Sequence, residues 1–343
     1  MNIRLPAEWE PQSGLMLTWP HPDTDWHPVL HEVEPVFVEI TVAASRRQTV
    51  LIACHDEAHT RYVGELLTAR GVPPAGYRLY HAPSNDSWAR DHGPIGTWCD
   101  HQPQLLDFTF NGWGNKYSAD LDNRITSRLH QAGAFGITPL QAIDFVLEGG
   151  SIETDGQGTL LTTTTCLLSP RRNPGLKKPD IENRLRQYLN VHRILWLDHG
   201  RLQGDDTDGH IDTLARFSDP ETILYVSSSD PSDPNYVSLQ RMAEELKQMV
   251  RNDGRPYFLV PLPSPVIRDH EGQCLPASYA NFLFINDAVL VPLYANAMDS
   301  LALEVFSRNF AQREIIGINC RPLIQQFGSL HCVTMQIPAG IVP

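Results

Sequence analysis

The chain has 343 residues, enough for one large domain or two ordinary ones with a substantial core. Hydrophobic residues make up 41% and charged residues 20%, the balance of a globular chain rather than a disordered one. The net charge of −13, with no Lys/Arg run to offset it, argues against nucleic acid and anionic membranes as partners and favours small cations.

The start, MNIRLPAEWEPQSG, lacks the basic and apolar regions of a signal peptide, and no apolar run approaches a membrane span. A cytoplasmic location is expected. Cys54, Cys99, Cys166, Cys274, Cys320 and Cys332 form no C-x-x-C, match no zinc framework and are expected to be reduced.

Helical and strand patterns alternate along the chain. Residues 29–47 carry helical spacing, 48–54 (QTVLIAC) read as a strand, and 57–71 as a helix stopped by Gly71. Strands follow at 192–198 and 221–227, and a helix at 236–253. Residues 282–294 read as a strand or a hairpin with an Asn-Asp turn, 300–310 as a helix and 313–319 as a strand. The Pro-rich stretches at 230–235 and 260–265 (VPLPSP) read as loops. The pattern predicts an α/β protein with a sheet that is not purely parallel, organised as a single domain over 1–343. There is neither G-x-G-x-x-G after a strand nor a P-loop, so no nucleotide cofactor is expected.

Four stretches hold polar groups that a core has no use for: SWARDHGPIG (87–96), LEGGSIETDGQGT (147–159), DDTDGHIDTLARF (205–217) and GSLHCVT (328–334). If TDGHIDTL is extended, Asp208, His210 and Asp212 share one face, which either meets solvent or lines a site. In an extended LHCVT, His331 and Cys332 point opposite ways, Thr334 sides with Cys332, and His331 is structural. Asp91, Glu148, His210 and Cys332 recur at multiples of roughly 60 residues, which suggests a repeated supersecondary unit, about five in all. The missing step falls near SYANF (278–282).

Taken in order, PAEWEP (6–11), TWPH (18–21), WARDHGP (88–94), FNGWGNKY (110–117), LEGGSIETDGQGTLLTT (147–163), TDGHIDTLARF (207–217), SYANF and LHCVT (330–334) resemble the agmatine deiminase and bacterial peptidylarginine deiminase family. The resemblance implies a pentein, a five-bladed α/β propeller of pseudo-repeats around a central site, with no metal and no organic cofactor. It makes Cys332 the nucleophile, His210 the general acid/base, and Glu148 the group that orients His210. Asp91 and Asp212 hold the substrate guanidinium. Trp88, which could equally be a core residue, and Asp208 join them as substrate-binding candidates. The implied substrate is a small guanidino cation, and the implied assembly admits a homodimer. The chemistry is consistent: carboxylates grip a guanidinium's planar N–H fork, and a thiolate attacks a carbon that water attacks poorly.

Family members carry a glycine-rich lead-in before His-Cys and Asn in a TNGH-like motif, where this chain has QFGSLHC and TDGH. The departure bears on the substrate tail. Agmatine is expected, with Asp23, Asp25, Asp205 and Asp206 as candidates for its ammonium. Arginine and peptidyl-arginine are alternatives with the same chemistry. A metal-dependent hydrolase using Asp91, His92, Asp208, His210 and Asp212 is a further alternative, although it leaves Cys332 and Glu148 idle. A non-enzymatic guanidinium binder is the last.

Overall fold

A computed structural model describes residues 3–343. Its unit is a β-hairpin followed by a helix and a strand parallel to the hairpin's second strand. In one sheet Ile152–Thr154 pairs antiparallel with Thr159–Thr163, and Arg193–Leu197 returns parallel after the helix Lys178–Leu189. The same order holds for Ala215–Asp219, Thr222–Ser227, the helix Tyr236–Gln248 and Phe258–Pro263. It holds again for Leu283–Ile285, Ala288–Leu293, the helix Asp299–Asn309 and Glu314–Asn319. A fourth unit, Ile95–Cys99, Gln102–Thr109 and Leu140–Val146, takes Ile3–Arg4 as an extra edge strand.

The fifth unit joins the two ends of the chain. Thr334–Pro338 pairs antiparallel with Gln12–Thr18, which continues in parallel to Thr49–Cys54 and Tyr77–His81. Parallel neighbours require crossovers, and the helices Leu30–Ser45 and Glu57–Ala69 supply them. Asp56 caps the second of these by accepting from His59 N–H at 2.7 Å. Five sheets of three or four strands thus account for the roughly 60-residue spacing.

The helices and strands expected from periodicity form with their ends shifted by a few residues. Three expectations fail. Pro261 and Pro263 lie within the strand Phe258–Pro263, not a loop; it is an edge strand, where a missing N–H costs no ladder bond. TDGHIDTL is not extended: Asp208 and Gly209 have φ of +67° and +87°, and Ile211–Thr213 is a 3-10 turn. Likewise, residues 330–333 form turns, and the strand begins only at Thr334. The Thr334 hydroxyl donates to the Leu330 and His331 carbonyls instead of serving Cys332.

Each unit delivers a functional segment just before its first strand. Asp91 precedes Ile95, Glu148 precedes Ile152, His210 and Asp212 precede Ala215, Asn281 precedes Leu283, and Cys332 precedes Thr334. Beside them lies a buried set of charges. The Arg216 Nη1 donates to the Phe282 carbonyl at 2.8 Å, Nη2 lies 2.9 Å from Glu8, and Nε pairs with Glu153. Arg90 Nη2 lies 3.5 Å from the same Glu8 oxygen. Removing one partner leaves buried carboxylates unpaired, so Arg216→Ala is expected to destabilise the fold by about 3–5 kcal/mol, read from equilibrium urea unfolding.

Candidate active site

Five of the sequence-selected residues meet. Asp91 is held on both oxygens: Gly150 N–H donates to Oδ1 at 3.0 Å and Trp113 Nε1–H to Oδ2 at 2.9 Å. The His210 ring lies between two acids, with Nδ1 3.6 Å from Asp91 Oδ1 and Nε2 3.6 Å from Glu148 Oε2. Neither ring nitrogen has a hydrogen-bond partner. Cys332 Sγ is 3.8 Å from Asp212 Oδ2, and Asn281 Nδ2 lies 3.3 Å from the sulfur. Cys332 is 4% exposed, and Glu148, His210 and Asp212 are fully buried.

Glycine makes this convergence possible. A Cβ at Gly150 would lie 2.5 Å from His210 Nδ1 and 2.9 Å from Asp91 Oδ1, so the LEGG motif keeps a side chain out of the meeting point. A Cβ at Gly328 would lie 2.1 Å from the Trp88 ring, which forms one wall of the cavity above Cys332.

That cavity measures about 530 Å³. Cys332, Asp91, Trp88 and Trp113 line its floor and walls, while Asp25, Asp86, Asp206, Tyr117 and Phe327 line the remainder. Of the acids considered for a substrate tail, Asp25 and Asp206 are in place. Asp205 instead folds its own loop, accepting from Thr207 and Gly209 N–H. Asp23 sits beside His21 and His55. Asp208 is not a cavity residue either: Arg172 and Lys116 bind it at 2.7 and 3.0 Å. The left-handed turn that breaks the expected extension turns it toward them.

Sequence reasoning missed Arg172, Asp86 and Asn281. Arg172 Nε contacts both Glu148 oxygens, at 2.9 and 2.7 Å, and is itself buried. Arg172 lies in the loop SPRRNPG, which carries no periodicity to mark it. Asn281 lies in SYANF, where the spacing pointed to a step but not to a residue. Cys166 is buried and lies 3.8 Å from Glu148.

Burial dominates the electrostatics. It pushes the Cys332 thiol well above its ordinary value, and the Asp212 and Asp91 carboxylates push it further. Burial opposes an imidazolium at His210, but Asp91, Cys166 and Glu148 outweigh it and raise its pKa. Burial would also raise Glu148, yet the His210 contact and Arg172 hold it below its usual range. Asp91, desolvated and near Asp212 and Glu148, rises to about 6 despite His210. Burial and the nearby carboxylates thus favour the thiol form of Cys332, and the same carboxylates favour an imidazolium at His210.

The metal set of the alternative hydrolase reading does not assemble. His92 bonds Thr18 through Nε2 at 3.2 Å, and Asp208 is committed to Arg172 and Lys116. Among the described residues, two other groups have ligand atoms within 4.8 Å of one another: Glu148, Cys166 and His210, and, away from Cys332, His21, Asp23 and His55. In the first, Arg172 already occupies both oxygens of Glu148.

The profile of the Porphyromonas-type peptidyl-arginine deiminase family matches residues 4–338. The chain belongs to that family. A relative from Vibrio parahaemolyticus, described as a putative agmatine deiminase, is 35% identical over 97% of this chain and 96% of its own. A solved structure from Porphyromonas gingivalis, described as a putative arginine deiminase, is 50% identical over the whole of both chains with a TM-score of 0.93. A C. jejuni agmatine deiminase, solved as a cysteine-to-serine variant with substrate bound, is 36% identical, covering 99% of this chain and 97% of that one at a TM-score of 0.91. An amidinotransferase from Microseira wollei, 12% identical over 99% of this chain and 98% of that one, shares the fold at a TM-score of 0.57. The fold is a pentein. Among the described residues, no helix is long and apolar enough to cross a membrane.

In this deiminase scaffold the Gly150 contact can be probed directly. Gly150→Ala is expected to lower kcat/KM for ammonia release from a guanidino substrate by about a hundredfold, because it displaces His210 or Asp91. Thermal unfolding and steady-state kinetics on the same preparation separate that effect from misfolding.

Proposed function

We propose that the chain is an agmatine deiminase, hydrolysing the guanidinium of agmatine to N-carbamoylputrescine and ammonia. The observation that carries this reading is the cavity above Cys332. Its lining presents the buried Asp91 with Cys332, the exposed Asp25 and the half-buried Asp86 and Asp206, and among the described residues no Arg or Lys lines it. A guanidinium at the floor and an ammonium at the mouth both meet carboxylates. Lys116, the cation close to the mouth, is spent on Asp206 and Asp208.

The 50% identity to a structure described as an arginine deiminase favours arginine as the second reading. The lining opposes it, since an α-carboxylate there would meet Asp25, Asp86 and Asp206, of which Lys116 pairs with Asp206.

In the proposed reaction the substrate cation offsets Asp91 and Asp212, which otherwise hold the Cys332 proton on. Ionisation of the thiol thus accompanies binding. The thiolate adds to the guanidinium carbon, and the amino leaving group departs as ammonia with a proton from His210. A covalent S-alkylthiouronium remains. His210 then takes a proton from water, the resulting hydroxide adds to the same carbon, and the C–S bond breaks to give the ureido product. Glu148, held by Arg172, keeps a negative charge beside the His210 ring throughout.

Side-by-side turnover of agmatine, free arginine and an arginine peptide, read as ureido product, tests the substrate. Agmatine is expected to have the highest kcat/KM. A higher value for arginine would overturn the substrate and leave the chemistry standing. Cys332→Ala is expected to abolish turnover of all three, and retained ammonia release would overturn the thiol mechanism.

The acid limb follows from Asp91. Protonated below about pH 6, it no longer attracts a guanidinium, so kcat/KM is expected to fall about tenfold per unit below that pH. Asp86, also pushed up to about 6 by burial, loses its charge over the same range. A pH profile of kcat/KM from 4.5 to 8 checks this.

A further inference from the structure

Asp212 and Glu8 are joined through one side chain, the neighbour of Cys332. His331 Nδ1 lies 2.8 Å from Asp212 Oδ2, and its Nε2 lies 2.7 Å from Glu8 Oε2. His331 is buried, and its backbone N–H is pinned by Asn281 Oδ1 at 2.9 Å. An ionised carboxylate only accepts hydrogen bonds. A ring N–H can donate to either acid, so His331 bridges the Asp212 and Glu8 carboxylates.

The groups around this unit are also charged. Arg216 and Arg90 flank Glu8, Glu153 lies beyond Arg216, and Asp91 and His210 adjoin Asp212. Burial, Arg216 and Arg90 lower the His331 pKa against the pull of Glu8 and Asp212. The outcome for Asp212 is asymmetric: Oδ2 is engaged by His331 and faces Cys332, whereas Oδ1 is buried with no partner. A buried acceptor without a partner is costly unless a ligand supplies one.

We propose that His331 is a positioning residue for the guanidinium site: anchored on Glu8, it fixes the Asp212 carboxylate so that one oxygen is held and the other is left for the substrate cation. This rests on reading the cavity as a guanidinium site. It assigns a role to the histidine that the alternation argument made merely structural, and it gives the PAEWEP segment a part in substrate binding through Glu8. The rear of this unit borders a second cavity of about 660 Å³, lined by Glu8, Arg90, Glu153 and His331, so the support comes from behind the site rather than from its mouth.

A matched pair of thiol alkylators tests this. 2-Chloroacetamidine carries an amidinium, and 2-chloroacetamide is neutral and of similar size. Labelling of Cys332, followed by mass spectrometry, is expected to be faster with the amidinium in the unsubstituted protein. His331→Ala is expected to reduce that preference by about tenfold or more while leaving the chloroacetamide rate within about threefold. His331→Asn, whose amide N–H can still donate to Asp212, is expected to restore most of the preference. A full preference in His331→Ala overturns the proposal. So does an equal fall in both rates that Asn does not rescue, which is the signature of packing alone. If His331→Ala does not fold, Glu8→Ala and Glu8→Gln decide: alanine should weaken the preference and glutamine keep it, and equal behaviour overturns the proposal. An unsubstituted protein without any preference for the amidinium overturns the guanidinium reading itself, and this inference with it.

Discussion

A buried carboxylate must find a positive partner, and this fold buries more carboxylates than it can pair. Glu8, Asp91, Glu148, Glu153 and Asp212 lie together with Arg90, Arg172 and Arg216. The arginines are drawn to the edges of the set: Arg172 to Glu148, and Arg216 and Arg90 to Glu8 and Glu153. Asp91 is left short of positive charge and one oxygen of Asp212 without a hydrogen-bond partner, with His210 and Arg90 both close to the two acids. The deficit is the binding energy of the site. A planar cation with several N–H donors relieves it, and a neutral ligand of the same shape does not.

The repeated unit is what makes such a set affordable to a folding chain. One strand cannot present two acids, a histidine and a thiol toward one point at close range without bending. Five sheets, each preceded by a short irregular segment, bring one or two groups apiece. Those segments are turns, not strands, and they carry their own strain: Trp113 and Asp208 are in the left-handed region. Gly150 admits His210 and Asp91 to one spot, and Gly328 admits the Trp88 ring. Joining Thr334–Pro338 to Gln12–Thr18 sets His331, the neighbour of Cys332, beside Glu8. The site therefore depends on both ends being in place.

Much of this was legible in the sequence, for identifiable reasons. The helices show because their buried faces repeat at helical period, and the five units show because polar clusters interrupt the apolar pattern at a steady spacing. Asp91, Glu148, His210, Asp212 and Cys332 stand out as groups a core does not otherwise tolerate. The extended reading of TDGHIDTL brought His210 and Asp212 to one place for the wrong reason. The Asp-Gly dipeptide in it is a turn signal, and that turn sends Asp208 to Arg172 and Lys116. Arg172 and Asp86 could not be selected, because an arginine among RRNPG and an aspartate in SNDSW look like ordinary loop residues. Their function exists only in the partners that folding brings, Glu148 for one and the cavity mouth for the other. His331 shows the same limit from another side: alternation points it away from Cys332, yet the turn at 330–333 brings both to the same Asp212 oxygen, and nothing local announces Glu8, more than three hundred positions away.

Binding and thiol ionisation are coupled by the same charges. In the proposed reaction Asp91 and Asp212 have opposite effects on the two partners of the first step. They attract the guanidinium, and they disfavour the thiolate that must attack it. With the cavity empty the second effect stands alone, and Cys332 stays protonated and unreactive. When a cation sits between the acids and the sulfur, its charge screens the repulsion. The free energy that ionises Cys332 is then part of the free energy of binding. By reciprocity, any group that weakens the hold on Asp212 weakens both at once. That makes the support behind Asp212, more than the chemistry of the thiol itself, the point on which selection for a guanidinium turns.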